Sequence, residues 1–101
     1  MSTTLAYYIK DPQSVLDYQQ DWTKWLGSDI IALATASAEI IVGDTSPLEI
    51  EGVVFADKVV TVWITGGTAG NRYAVTVEVT TSTTPVPRVE QRSFLLEIKH
   101  L

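Results

Sequence analysis

The sequence predicts an all-β fold, a sandwich of about six to seven antiparallel strands, and three observations carry the prediction. Apolar residues alternate with period two from about residue 58 onward. The runs are rich in valine, isoleucine, threonine and aromatic residues, which suit a pleated, half-buried surface. Turn clusters interrupt them at short intervals, at Gly43-Asp44-Thr45-Ser46-Pro47, Ala56-Asp57-Lys58 and Gly66-Gly67-Thr68-Ala69-Gly70.

Taken in order, the first element is open to two readings. Asp11-Pro12 has the form of an N-cap and first helical residue, Gly27 that of a helix stop, and Val15, Tyr18, Trp22, Trp25 and Leu26 follow helical spacing. The same stretch reads as a strand with Leu16, Tyr18, Gln20 and Trp22 on one side, followed by a single helical turn at Thr23–Leu26. Residues 1–9 are expected to be an N-terminal tail, and 10–101 a single domain.

The strand Ile30 to Val42 is expected to put Ile30, Ala32, Ala34 and Ala36 on one face and Ile31, Leu33, Thr35 and Ser37 on the other. Leu48-Glu49-Ile50-Glu51 alternates, and Gly52 to Phe55 continues it. The next strand turns Val60, Val62 and Ile64 one way and Val59, Thr61, Trp63 and Thr65 the other. After the glycine cluster, Tyr73, Val75, Val77 and Val79 oppose Ala74, Thr76, Glu78 and Thr80. Thr80 to Pro87 begins as strand and ends as loop, because proline cannot donate to a ladder. Phe94, Leu96 and Ile98 then point inward. Trp22, Tyr73 and Phe55 are expected in the core.

Gly66, Gly67 and Gly70 followed by Tyr73 make a corner that ends one strand and opens the next. A tyrosine in this position resembles the tyrosine corner of immunoglobulin-like domains, so the sandwich is read as immunoglobulin-like (fibronectin III-like). The competing reading of the glycines, a phosphate loop, lacks the Gly-Lys-Ser/Thr ending and the helix that would supply free N–H groups.

Composition narrows function by exclusion. Hydrophobic residues make up 46% of the 101 and charged residues 19%, enough for one core. No apolar run approaches the roughly 18–20 residues of a spanning helix, and Met1 to Ala6 lacks the form of a secretory signal. No cysteine is present, which excludes disulfides and thiolate chemistry. Net charge is −5, which opposes binding to a phosphate backbone. The charge is uneven: residues 1–57 hold nine acids and two bases, residues 58–101 three acids and five bases. Solvated surface charge is the ordinary reading, and head-to-tail packing of subunits the alternative.

Candidate chemistry is sparse. His100 is the single histidine and no nucleophile elbow accompanies it. Glu49, Glu51, Asp29, Asp44 and Asp57 could offer oxygen ligands, but no calcium-loop pattern organises them and a solvated face is the better reading. No cofactor and no catalysis are expected. Trp63, alternating with threonines, either closes the second face of a buried strand or is exposed as a binding anchor, and Trp25 is similar; large aromatics are favoured at interface hot spots, which makes both candidate interface residues. Arg72 and Arg88, in the more basic half, join them on electrostatic grounds. Aromatic platforms also serve sugars, so a carbohydrate-binding module is the alternative.

Two segments together resemble a known family. Lys10-Asp11-Pro12, Leu16-Asp17-Tyr18, Asp21-Trp22 and Trp25-Leu26 are followed by Ile30-Ile31 and the alanine-rich strand. Later comes Val62-Trp63-Ile64-Thr65-Gly66-Gly67-Thr68-Ala69-Gly70-Asn71-Arg72-Tyr73-Ala74-Val75-Thr76. Over about residues 10–99 the order and spacing resemble small fibre–tail adaptor proteins of tailed bacteriophages and prophages. The resemblance implies an immunoglobulin-like sandwich whose first strand contains Tyr18 and Trp22. It implies a structural protein of the virion tail, made in the host cytoplasm and assembled in several copies as a homo-oligomer. Its partners would be the tail fibre and other tail or baseplate proteins, with neither nucleic acid nor membrane. The proline-bearing stretch Thr81–Pro87 departs from the glycine-rich, polar turn that the family implies.

Overall fold

The computed structural model describes residues 6–43 and 48–99. Seven strands and one helical turn follow in order: β1 Ala6–Lys10, β2 Val15–Asp21, α1 Thr23–Leu26, β3 Ile31–Val42, β4 Leu48–Ala56, β5 Val59–Gly66, β6 Arg72–Thr81 and β7 Val89–Ile98. They form a four-stranded sheet, β1-β7-β6-β3, and a three-stranded sheet, β2-β5-β4.

The alternation read from the sequence sets the core. Val60, Val62 and Ile64 of β5 face Tyr73, Val75, Val77 and Val79 of β6 and Phe94, Leu96 and Ile98 of β7, all of them buried. Each such aliphatic side chain contributes about 1.5–3 kcal/mol of transfer free energy. Trp22 is fully buried among them and meets Trp25 edge to face at 5.4 Å.

The strand reading of the N-terminal segment holds. β2 pairs antiparallel with β5 along its whole length, Val15 opposite Thr65 through Asp21 opposite Val59. That ladder overrides the local helical spacing. Asp11-Pro12 forms a turn instead of a helix start, with Gln13 N–H donating to Asp11 Oδ1 at 2.9 Å and Ser14 N–H to Asp11 O at 3.1 Å. Helical spacing survives only in α1, which Gly27 closes by donating its N–H to Thr23 O at 3.0 Å.

Four expectations need correction. Residues 6–9 are not a tail, because β1 lies beside β7 with Ala6 opposite Phe94 and Lys10 opposite Ile98. This pairing is parallel, so the strands are not all antiparallel. Tyr8 secures β1 by packing on Tyr18 and Phe94, with ring centroids 5.0 and 5.5 Å away. Phe55 is 41% exposed and not core; it shares the inward face of β4 but sits towards the end of an edge strand. The face of Ile30 is reversed: a register shift between Ile31 and Leu33 buries Ile31 and leaves Ile30 exposed, while Ala34 and Ala36 stay inward.

Tyr18 Oη is buried without a hydrogen-bond partner among the described residues. Burial pushes its phenol up to about 12, with Tyr8 and Asp17 adding to the effect. A folded-state pKa above the unfolded value contributes stability that is complete below about pH 10 and lost as pH rises through about 12. Tyr18→Phe is therefore expected to be neutral or stabilising by up to about 1 kcal/mol at pH 7. It should also flatten the alkaline decline in urea-unfolding free energy. A loss above 2 kcal/mol would contradict the orphaned hydroxyl.

Candidate functional site: assembly surfaces

The corner is built as a hub. Gly66, Gly67 and Gly70 all have positive φ, at 84°, 93° and 95°, a region that L side chains avoid. Asn71 N–H donates to Thr68 O at 3.0 Å to close the turn. Gly70 N–H donates to Ile98 O at 2.9 Å and Ile98 N–H to Asn71 O at 3.0 Å, which pins the corner to β7. Tyr73 is buried and its Oη accepts from Asn71 Nδ2 at 3.1 Å. Lys10 is also buried, and its ammonium donates to Gly66 O at 2.9 Å and Asp11 O at 2.8 Å. Desolvation holds its pKa below the usual lysine value, with Asp11 opposing that shift. The corner is thus tied to both β1 and β7 by hydrogen bonds.

Trp63 is different. It stands on the outer face of β5, 42% exposed, with Asp17 of β2 on one side and Gly52 of β4 on the other. Gly52 supplies no side chain, and a Cβ there would meet nothing within 4 Å, so the indole has an open flank. The neighbouring rows present Thr61, Thr65, Val15 and Val54, the two valines exposed. Asp17 and Glu49 add acidic groups to this face. Tryptophan is among the residue types enriched at interface hot spots.

Trp25 and Arg88 are brought together elsewhere, and they serve the fold. The Arg88 guanidinium lies 4.5 Å from the Trp25 ring centroid. Its Nη2 donates to Trp25 O at 3.2 Å and Leu26 O at 3.1 Å, and it pairs with Asp29 at 2.7 Å. Lys58 Nζ donates to Gly27 O. Two distant cations thus satisfy the open carbonyls at the end of α1 and oppose its dipole. A hydrogen bond from Thr83 and then Arg88 holds the Asp29 carboxyl below its usual range. Arg92 repeats the theme, stacking 4.0 Å from the Trp22 ring centroid and donating to Asp21 O at 3.2 Å. The sequence shows these arginines as charges only; that Arg88 caps a helical turn 62 residues away depends on the sheet pairing.

Arg72 is exposed on the outer face of the four-stranded sheet, opposite Glu97 of β7 and Val42 of β3. Tyr7, on the same face, donates to Glu97. This bond and the charges of Lys99 and Arg72 lower the Glu97 pKa. The four candidate residues therefore fall on separate surfaces: Trp63 on one sheet, Arg72 on the other, Trp25 and Arg88 at α1.

Glu49 is exposed, Asp29 is engaged by Arg88, and Asp57 lies in the β4–β5 turn at φ 54°. Asp44 and His100 lie outside the described residues. Among the described residues no group of His, Cys, Asp or Glu is placed to hold a metal ion, and no helix is long and apolar enough to cross a membrane.

Residues 10–97 match a family model described as podophage GP4 fiber-tail adaptor protein gp77. Nothing among curated proteins matches the chain.

Proposed function

The chain belongs to the podophage GP4 fibre–tail adaptor family, and from that membership we propose that it is a structural component of a virion tail that joins the fibre to the tail through protein–protein contacts. The match from Lys10 through Glu97 is the observation that carries this reading. Synthesis in the host cytoplasm and assembly in several copies go with it, and neither catalysis nor a cofactor is part of it.

The fold is read as one immunoglobulin-like domain. The placing of β2, β5 and β4 in one sheet and β7, β6 and β3 in the other, with β1 beside β7, supports this reading. Tyr73 at the start of β6, tied to the corner through Asn71, supports the same assignment. Trp63 and Trp25 on one flat face would favour the alternative carbohydrate reading. Trp25 lies beneath Arg88 at α1 and Trp63 projects from β5, so that support is lacking.

Trp63 is the proposed anchor for a tail or fibre partner. Trp63→Ala should change stability by less than about 1 kcal/mol, since the ring is outside the core, yet reduce incorporation into virions at least tenfold. Quantitative mass spectrometry of purified particles would measure it. Normal incorporation of the variant would remove Trp63 from the interface. Absence of the wild-type chain from purified tails, or from their cryo-electron density, would sink the adaptor reading itself.

A further inference from the structure

The longest strand, β3, spans twelve residues and lies at one edge of the four-stranded sheet, with β6 as its partner among the described residues. Natural edges are blunted by shortness, charge, proline or bulges. The other edges follow that rule. β1 has five residues, β2 carries Asp17 and Asp21, and β4 is bulged between Ile50 and Gly52 beside Glu49 and Glu51. β3 has no lysine, arginine or proline, and its single charge is Glu39. Its register with β6 is regular from Leu33 to Ile40, between two shifts near its ends.

The side chains along this edge are also unfinished. Ala34, Ala36 and Ala38 point inward and pack against the core, but they are small and only partly buried. Leu33, Ile41 and Val42 are exposed on β3, and Val54 and Phe55 on neighbouring β4.

We propose that β3 pairs edge to edge with β3 of a second copy of this chain, antiparallel about a two-fold axis at Ser37. Residues opposite each other in an antiparallel ladder point to the same face, so the pairing must join positions of equal parity. Centred on Ser37, it sets Thr35 against Glu39, Ala36 against Ala38, and Ala34 against Ile40, all within the regular stretch. The two-fold axis makes each contact twice. The lone acid meets a hydroxyl and never another acid. Two four-stranded sheets become one continuous sheet, while Trp63 and Arg72 stay free for unlike partners. β1 of another copy is the poorer occupant, because five residues cannot cover the regular length of β3.

This deepens the several-copy adaptor reading, but it is tested on the isolated chain and can fail separately from the virion experiment. Sedimentation equilibrium should show a concentration-dependent dimer. Ser37→Lys, at an exposed position, sets two lysines against each other and should weaken the dimer at least tenfold with an unchanged circular dichroism spectrum. Ser37→Cys supplies the single thiol of the chain and should give a disulfide dimer on oxidation. Thr76→Cys, on central strand β6 beside Ser37, should not. A monomer at every concentration, a dimer or larger assembly untouched by Ser37→Lys, or equal cross-linking at Thr76 would each overturn the proposal.

Discussion

Trp22→Ala is expected to cost about 3–5 kcal/mol, at the upper end of core truncations. The indole is fully buried and sits where β2 passes into α1. It meets Trp25 edge to face and carries the Arg92 guanidinium on its other contact surface. Its Nε1 donates to Gln20 Oε1 at 3.2 Å, and its backbone N–H donates to Lys58 O at 2.8 Å. Removing the ring empties the volume between the sheets and strips Arg92 of its stacking partner. Chemical denaturation at pH 7 would measure the loss, and a cost below 1.5 kcal/mol would show that this end of the core can collapse around the gap. Trp22→Phe should recover part of the difference, because the apolar volume matters more here than the single N–H bond.

Gly43→Ala is expected to cost about 2–4 kcal/mol, although Gly43 is itself exposed. Its φ is 122°, where L residues are strained. A Cβ there would lie 1.9 Å from Asn71 Oδ1 and 2.3 Å from Asn71 Cγ, distances no side chain tolerates. The buried Asn71 amide would have to move, and with it the bond from Nδ2 to Tyr73 Oη. The effect should be coupled to the tyrosine. In a double-mutant cycle with Tyr73→Phe, the two costs should sum to less than additivity by more than 0.5 kcal/mol. Strict additivity would separate the end of β3 from the corner.

How much could be read from the chain differs by region, for physical reasons. β5, β6 and β7 were legible because both sheets bury one face of each, so Val60, Val62, Val75, Val77, Phe94 and Leu96 write the period openly. Alternation gives the wrong face for Ile30 and Ile31 because a bulge shifts parity by one, and no residue in that stretch signals it. Phe55 reads as core because alternation gives the face but not the distance from the sheet edge. β1 leaves no period in the sequence because Tyr7, Tyr8 and Ile9 are apolar on both faces and Lys10, a residue type that is rarely buried, is the one that goes inside. Among the candidate surfaces, alternation with threonines leaves Trp63 open to a buried or an exposed face, and the structure exposes it because no side chain at Gly52 covers its flank. Arg88 carries the same local signature as any surface charge, and its work on α1 comes from a contact across the fold.

The parallel pairing of β1 with β7 has a consequence in time. β1 and β7 are the first and last of the described strands along the sequence, and neither can complete the four-stranded sheet without the other. Closing so long a loop is entropically slow, so β2 to β6 can collapse while the place beside β7 does not yet exist. Until β7 docks, Phe94 is missing from its contacts with Tyr8 and Tyr18, and Lys10 has no strand to hold it beside the corner. The aromatic cluster of Tyr8, Tyr18 and Phe94 is therefore a natural optical reporter of the final folding step.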